Sequence, residues 1–381
     1  MSDIPHLRST ELVPPSGSDC WQDRDEARLT CRAVQVVSHD VKTFLFAAEG
    51  PQVFRFDPGQ FITLELEIGG VRLSRCYTIA SPPTRPHLIA LTVKRVPGGP
   101  VSTWLHDHLV PGDTVLALTP LGQFTLTPPL APKYLFLAAG SGITPLMSMI
   151  RTLADLGSDA DVTFVQAART PADLLFRDEL AAISAAAPSV RVVHLCESDH
   201  PTQRWTGLRG RLTDDVLQVI APDLHERLTY ACGPDEFMAA TRRVLAARGY
   251  DMAGYREESF RFESLPAEEQ TLARPPQRSV DGGASVDGVG AADRATFTVE
   301  FVRSGRTVEC PADWYVLDAA LSSGLRLPAK CHRGTCGTCK AVLIEGSVDM
   351  EHHGGIRPRE MALGRFLPCC SRPISDLRID A

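Results

Sequence analysis

The sequence contains no run of eighteen apolar residues, so no transmembrane helix is expected. It carries no clustered surplus of basic charge: 39 Lys and Arg are outnumbered by 46 Asp and Glu, giving a net charge of −7. That balance disfavours a nucleic-acid partner, whose phosphates call for basic clusters. The opening stretch, MSDIPHLRSTELVPPSGSDC, has neither the basic start nor the apolar run of a secretory signal. It reads as a polar arm, residues 1–28, and a cytoplasmic location is the expectation. Internal repeats are absent, as is an H-E-x-x-H motif or a convincing catalytic triad.

What is present is enough for several domains. A chain of 381 residues exceeds what a single hydrophobic core usually supports. The eleven cysteines do not read as a disulfide framework in a long chain without a signal. Six of them, Cys20, Cys31, Cys76, Cys196, Cys232 and Cys310, are scattered. The other five, Cys331, Cys336, Cys339, Cys369 and Cys370, crowd the last fifth. Clustered cysteines in a reducing compartment point to metal.

Residues 29–130 read as short β-prone runs (LTCRAVQVVS, TFLFAA, QFITLELEI, RCYTIAS, HLIALTVKRV) separated by Pro and Gly turns. That pattern predicts an antiparallel barrel or sandwich. From 131 to 262 strands alternate with helices: KYLFLAAG, ITPLMSMIRTLADLG, DVTFVQAAR, LLFRDELAAISAAA, RVVHLCES, LTYACG and DEFMAATRRVLAARG. Alternation of this kind predicts a parallel α/β sheet. Residues 263–294 are rich in Pro, Gly, Ser and Asp and read as a flexible linker. Residues 295–381 form a last compact unit, opening with an apparent hairpin, TFTVEFVRSGRTVEC, followed by a helix near WYVLDAALSSG.

In that unit Cys331, Cys336 and Cys339 are spaced C-x₄-C-x₂-C, and Cys369 follows after twenty-nine residues. Four thiolates at this spacing match the plant-type [2Fe–2S] arrangement. Gly334 and Gly337 permit unusual backbone angles and close approach around the inorganic sulfides. Zinc is the alternative metal, but structural zinc favours two C-x₂-C-like pairs rather than three ligands in one loop. Residues 295–381 resemble a plant-type ferredoxin domain of the α+β, β-grasp class. In that family the last ligand commonly precedes a proline by four residues, so Pro373 selects Cys369 over Cys370.

FLAAGSGITPLMSMI runs from a strand through a glycine turn into a helix. Gly140 and Gly142 would let backbone approach a pyrophosphate at a helix N-terminus. Thr144 fits an N-cap and Pro145 the first helical position. Taken alone, a G-x-G pair is also compatible with an ordinary turn, and Pro145 replaces the third glycine of the Rossmann fingerprint. The run G-S-G-I-T-P nevertheless resembles the nicotinamide loop of the ferredoxin reductase superfamily. YACGPDEF resembles that superfamily's second nicotinamide signature, implying that Cys232, Gly233 and Pro234 lie near the nicotinamide. The second strand of this block ends QAART, offering Arg169 rather than an acid toward the adenosine ribose; an arginine there can accommodate a 2′-phosphate, and a solvated surface charge is the alternative. Analogy with oxygenase-feeding reductases favours NADH over NADPH.

RCYTIAS resembles the R-x-Y-[ST] flavin signature of the same superfamily. Arg75 would pair with flavin phosphate, Tyr77 would pack along the isoalloxazine, and Thr78 would hydrogen-bond its polar edge. Lys94, and Gly99, Val101 and Ser102 at an expected helix start, match the phosphate-holding segment. PLGQFTL (120–126) resembles the segment cradling adenosine, which favours FAD over FMN. EESF (257–260) resembles the segment closing the nicotinamide domain, with Glu258 near the flavin edge and Phe260 over its face.

The resemblance implies an enzyme: electrons pass from NADH or NADPH to FAD, then to [2Fe–2S], then to an outside acceptor protein. The module order resembles reductase components of Rieske-type oxygenases, in particular those demethylating glycine betaine and related quaternary amines. A reductase for a hybrid-cluster protein or another redox partner is an alternative. A flavin-only diaphorase is a third reading, and a zinc-stabilised binding module on a degenerate reductase fold is the non-enzymatic one.

Overall fold

The computed structural model describes residues 18–21, 26–126, 129–259 and 295–381, the last apart from 326, 328, 330–333, 335–336, 338, 353–354 and 357. The expected linker, Phe260, Cys331 and Cys336 therefore lie outside the described residues. The chain divides into two compact units, Met1–Ser264 and Leu265–Ala381.

The first unit opens with six strands: β1 (Glu26–Ser38), β2 (Val41–Ala48), β3 (Phe61–Ile68), β4 (Val71–Thr78), β5 (Ile89–Lys94) and β6 (Thr114–Leu121). They form one antiparallel sheet in the order β4-β3-β6-β1-β2-β5. An Ile79–Leu91 bridge joins its two edges, so the sheet curls into a barrel. Strand alternation sends Phe44, Phe46, Leu64 and Leu91 inward, where each is at most 1% exposed. Burying a side chain of this kind is worth about 1.5–3 kcal/mol. A helix, α1 (Pro100–His108), plugs the barrel with Val101 and Leu105.

The chain then builds a parallel sheet. Its strands are β7 (Lys133–Ala139), β8 (Asp161–Ala168), β9 (Val190–Cys196), β10 (Leu208–Arg209), β11 (Leu228–Gly233) and β12 (Tyr255–Ser259). The helices between them are α2 (Ile143–Asp155), α3 (Arg177–Ala186), α4 (Asp214–Ile220) and α5 (Asp235–Ala247). The order β10-β9-β8-β7-β11-β12 places β7 between β8 and β11. The chain therefore steps from β7 to β8, β9 and β10 on one side and returns to β11 on the other, creating a switch point at the carboxyl ends of β7 and β11. In open α/β sheets such a crevice is where ligands bind. Buried Phe136, Phe164 and Ile150 pack on one face, and Leu137, Leu217 and Leu245 on the other.

One local expectation is corrected here. The glycine turn, Gly140–Gly142, itself winds as a 3₁₀ turn and runs directly into α2, whose N-cap is Gly142. Thr144 is thus inside the first turn rather than capping it, and its hydroxyl donates to the Ser141 carbonyl at 3.1 Å. Pro145 is the third helical residue, where its missing N–H still falls among amides that have no intrahelical partner.

The second unit holds β13 (Thr296–Phe301), β14 (Arg306–Pro311), α6 (Val316–Ser322), β15 (Ala341–Glu345), β16 (Val348–Met350), α7 (Pro358–Ala362), β17 (Arg365–Phe366), β18 (Ser371–Pro373) and β19 (Leu377–Asp380). The main sheet runs β14-β13-β19-β15-β17, with β13 parallel to β19, and β16 pairs β18 apart from it. Val299, Phe301, Val316 and Ile379 form the core beneath α6. This is the β-grasp arrangement, so the chain combines an antiparallel barrel, a parallel α/β sheet and an α+β unit.

Candidate redox-cofactor sites

The corner where the nicotinamide is expected is assembled by backbone contact at the switch point. Gly140 has φ +54°, a left-handed conformation that suits glycine. Gly142 is held for a different reason: a Cβ there would lie 2.4 Å from the Cys232 carbonyl carbon and oxygen. Gly233 is equally confined, since its Cβ would come within 2.8 Å of the Phe237 ring. The two motifs, ninety residues apart in sequence, are thus one surface. Parallel pairing adds a third member by setting Cys232 opposite Glu258. Cys232 is wholly buried, and burial followed by the Glu258 carboxylate pushes its thiol well above the ordinary range. Such a thiol stays protonated and acts as a compact apolar group rather than a nucleophile. Pro234 caps α5, whose first turn carries Asp235 and Glu236.

Arg169 is exposed just past β8, and a cleft of about 570 Å³ separates it from Lys94, Arg95 and Thr103 of the barrel. Lys94 pairs with Asp40 at 3.2 Å, which draws the Asp40 carboxyl below its usual range against the opposing effect of burial. The structure therefore groups Lys94 with Arg169 across the cleft.

On β4, alternation places Arg75 and Tyr77 on one face and Thr78 on the other. Tyr77 is half-buried against the barrel core, and burial raises its phenol, so it remains a neutral aromatic surface. Arg75 donates to the neighbouring Ser74 carbonyl at 2.8 Å. At α1, Gly99 is the N-cap and offers no side chain to the helix's free amides. Ser102 is turned inward: its hydroxyl accepts from the Val96 amide at 3.1 Å and donates to the Gly99 carbonyl at 3.2 Å. Val101 is buried at 1%. The Ser102 hydroxyl is thus engaged within the turn, which leaves the first-turn amides of α1 as the groups available to an anion.

The thiol-rich region shows the same economy of space. Cys339 and Cys369 are 6% and 3% exposed, enclosed with Leu317, Ile356 and Leu367. Gly334 and Gly337 have φ +68° and +67°. A Cβ on Gly334 would meet the Cys370 Sγ at 2.6 Å, and one on Gly337 would meet the Gly355 carbonyl at 2.4 Å. Gly355 in turn donates its amide to the Gly334 carbonyl at 2.8 Å. At Gly334, Gly337 and Gly355 there is thus no room for a side chain, and two of the four expected ligand thiols are buried in an apolar shell. That fits a compact cluster shielded from water.

The sequence reading missed residues that join the two halves of the first unit. Ser148 and Arg151 on α2 bond the Ser81 and Ala80 carbonyls of the barrel. Their signal was a polar stripe through an otherwise apolar helix. Tyr230, in the middle of LTYACG, also reaches across, donating to the Thr125 carbonyl at 3.0 Å.

Residues 28–126 match the oxidoreductase FAD-binding domain, 136–243 the oxidoreductase NAD-binding domain, and 299–373 the 2Fe-2S iron-sulfur cluster binding domain. The glycine betaine monooxygenase reductase subunit of Chromohalobacter salexigens is 41% identical over 369 residues, covering 96% of this chain and 98% of that protein. The stachydrine N-demethylase reductase subunit of Rhizobium meliloti is 36% identical, covering 95% and 98% respectively. The flavohem-like FAD/NAD-binding domain of a Vibrio cholerae nitric oxide dioxygenase superposes with a TM-score of 0.56 at 27% identity, over 62% of this chain and 99% of that one. With all three cofactor domains in this order and that identity along nearly its whole length, the chain belongs to the family of flavin- and iron–sulfur-dependent oxygenase reductase components, oxidoreductases that move electrons from nicotinamide through FAD to [2Fe–2S].

Proposed function

We propose that this reductase serves a cytoplasmic Rieske-type oxygenase that demethylates a quaternary amine, with NADH as the donor. The observation that carries the reading is the full-length likeness to reductase subunits named for glycine betaine and stachydrine oxidation. In bound form, FAD takes a two-electron hydride and the [2Fe–2S] centre passes electrons on singly, so the protein's task is alignment and exclusion of water.

In this reading the residues take the following roles. Arg75, Lys94, Gly99, Val101 and Ser102 shape the flavin-phosphate side, while Tyr77 and Thr78 present a neutral aromatic face and a hydroxyl to the ring. Gly140, Gly142 and Thr144 admit the nicotinamide nucleotide's pyrophosphate at the start of α2, and Pro145 stiffens that turn. Cys232, Gly233, Pro234 and Glu258 bound the nicotinamide corner, with Phe260 completing the flavin cover. Arg169 faces the adenosine ribose. Cys331, Cys336, Cys339 and Cys369 hold the cluster. Residues 263–294 tether the cluster unit so that it serves flavin and oxygenase in turn; shortening them slows acceptor reduction more than flavin reduction.

The deciding experiment is anaerobic titration of the purified holoprotein with NADH and with NADPH, alongside iron and acid-labile sulfide analysis. Coupled turnover with candidate quaternary-amine oxygenases follows. Flavin bleaching with NADH, iron–sulfur absorbance and amine-dependent turnover are expected. A flavin that NADH does not reduce, or an absence of iron and sulfide, refutes the electron route.

A further inference from the structure

One face of α2 does two jobs. Thr144, Ser148, Arg151 and Asp155 follow the i, i+4, i+7, i+11 spacing that keeps residues on a single helical face. The first belongs to the glycine turn. The other three hold the barrel segment that leaves the flavin-signature strand β4.

The contacts form a ladder along 80–85. Arg151 Nη1 donates to the Ala80 carbonyl at 2.6 Å, and Ser148 Oγ donates to the Ser81 carbonyl at 2.8 Å. Asp155 accepts from Arg85 at 2.9 and 2.6 Å and also from Thr84. Ala80 is fixed from the opposite side as well, since its amide donates to Ala90 of β5 at 2.8 Å. Only Ile79 separates it from Thr78.

Arg151 is the central rung and is held on every side. It is buried at 9%, and its Nε and Nη2 donate in a fork to Glu179 of α3 at 2.7 and 2.6 Å. Its guanidinium carbon lies 4.9 Å from the centre of the Phe176 ring. Phe176 has φ +55°, the only positive φ at a non-glycine among the described residues. A bulky residue in that conformation carries strain that its surroundings must offset. Here the strain places a ring beneath a cation, a contact favourable in a buried setting.

We propose that Arg151 is a positioning residue for hydride transfer: it locks the helix that starts at the nicotinamide turn to the strand that carries the flavin signature. A helix rises 1.5 Å per residue, so Arg151 stands roughly 10 Å from Thr144 along the same face. A small rotation of α2 at Arg151 is transmitted to the glycine turn, because the buried helix between them is rigid. Displacements of about 1 Å at a reacting pair cost on the order of 100-fold in rate. Lysine cannot replace arginine here, as a single ammonium cannot bridge Ala80 and Glu179 in a fixed fork.

This inference rests on the electron route proposed above. Its test is stopped-flow flavin reduction of the holoprotein at saturating NADH for Arg151→Lys, Arg151→Met and Glu179→Gln. The long-wavelength charge-transfer absorbance of the reduced protein with NAD⁺ is recorded in parallel. Arg151→Lys and Arg151→Met are expected to lower the limiting reduction rate at least about tenfold and to weaken the charge-transfer band. FAD content and the NADH dissociation constant should change less than about threefold. Glu179→Gln, which frees the guanidinium without touching the barrel, should fall between these variants and the parent. Should Arg151→Met fail to fold, Arg151→Lys and Glu179→Gln still decide. Parental rates and an unaltered band in those two overturn the proposal, as does a rate loss that merely follows FAD content. A parent protein that NADH fails to reduce would sink the electron route instead, so the two failures are distinguishable.

Discussion

The nicotinamide corner and the thiol loop both bring backbone against backbone through glycine, yet they are supported in opposite ways. At the corner, Gly142 meets the end of β11, a strand hydrogen-bonded on both sides within a parallel sheet. The sheet builds that surface whether or not a nucleotide is bound. In the thiol loop, Gly334 and Gly337 meet Gly355, and all three glycines lie outside any helix or strand. There the bound metal is the natural organiser, because thiolate ligation supplies the binding energy that regular structure elsewhere provides. The lesson is that a preformed site tolerates loss of its ligand, whereas a ligand-organised site does not.

The strongest test of that difference is removal of one cluster thiol. Cys339→Ser is expected to abolish iron and acid-labile sulfide and to lower cytochrome c reduction by at least about 100-fold. Flavin reduction by NADH should stay within about twofold, because the first unit is untouched. Metal analysis and stopped-flow spectroscopy read the two halves separately. A variant that lost both activities together would break the comparison.

The next largest effect is expected at the corner. Gly142→Ala places a methyl 2.4 Å from the Cys232 backbone, where nothing flexible can yield. Backbone must move, at a cost of about 1–3 kcal/mol, and hydride transfer should slow by about 100-fold with the cluster intact. Gly140→Ala makes the useful contrast. Its Cβ would meet nothing within 4 Å, so only the left-handed φ of +54° opposes it, at about 1–2 kcal/mol. Gly337→Ala combines both penalties, φ +67° and a carbonyl at 2.4 Å. It should lower cluster content more than Gly140→Ala lowers nucleotide affinity, measured as iron per chain and as an NADH dissociation constant.

How much of this was legible in advance depended on the range of the interaction. Strand alternation and strand–helix alternation are local, and the barrel and the parallel sheet follow from them, whereas the β-grasp class came from the resemblance carried by the cysteine loop. The pairing of Gly142 with Cys232 could be suspected from two motifs but not located, because it depends on which strands neighbour β7. The start of α2 was misplaced: a hydroxyl at Thr144 looked like a cap, yet the 3₁₀ turn through Gly140–Gly142 made a side-chain cap unnecessary. β12 was read only as a family segment, since YREES alternates too weakly to announce an edge strand. Arg151 was invisible as a seam residue, because its partners Ala80 and Glu179 are 71 and 28 residues away.

The smallest expected effect concerns the acid stability of the preformed half. Beneath the parallel sheet, Arg227 is nearly buried and forks to Asp161 and Asp223, while Lys133 also reaches Asp223 at 2.9 Å. The Arg227 hydrogen bonds, with those of Lys133, outweigh burial and hold the Asp223 carboxyl at about 2, below its ordinary 3.8. A carboxyl depressed in the folded state stabilises fully above its unfolded value and loses that contribution as pH falls through the folded value. Asp223 therefore contributes about 2 kcal/mol at neutral pH, lost progressively between about pH 4 and pH 2. Asp223→Asn should lower urea stability at pH 7 and flatten the dependence over that acid window. Loss of neutral-pH stability follows because Arg227 keeps only one carboxylate partner in its buried position. Iron and sulfide content should be unchanged, since the network lies wholly within the first unit. An equal loss of cluster in this variant would mean that the two units share their stability, and that the sheet-built corner and the metal-organised loop are not independent after all.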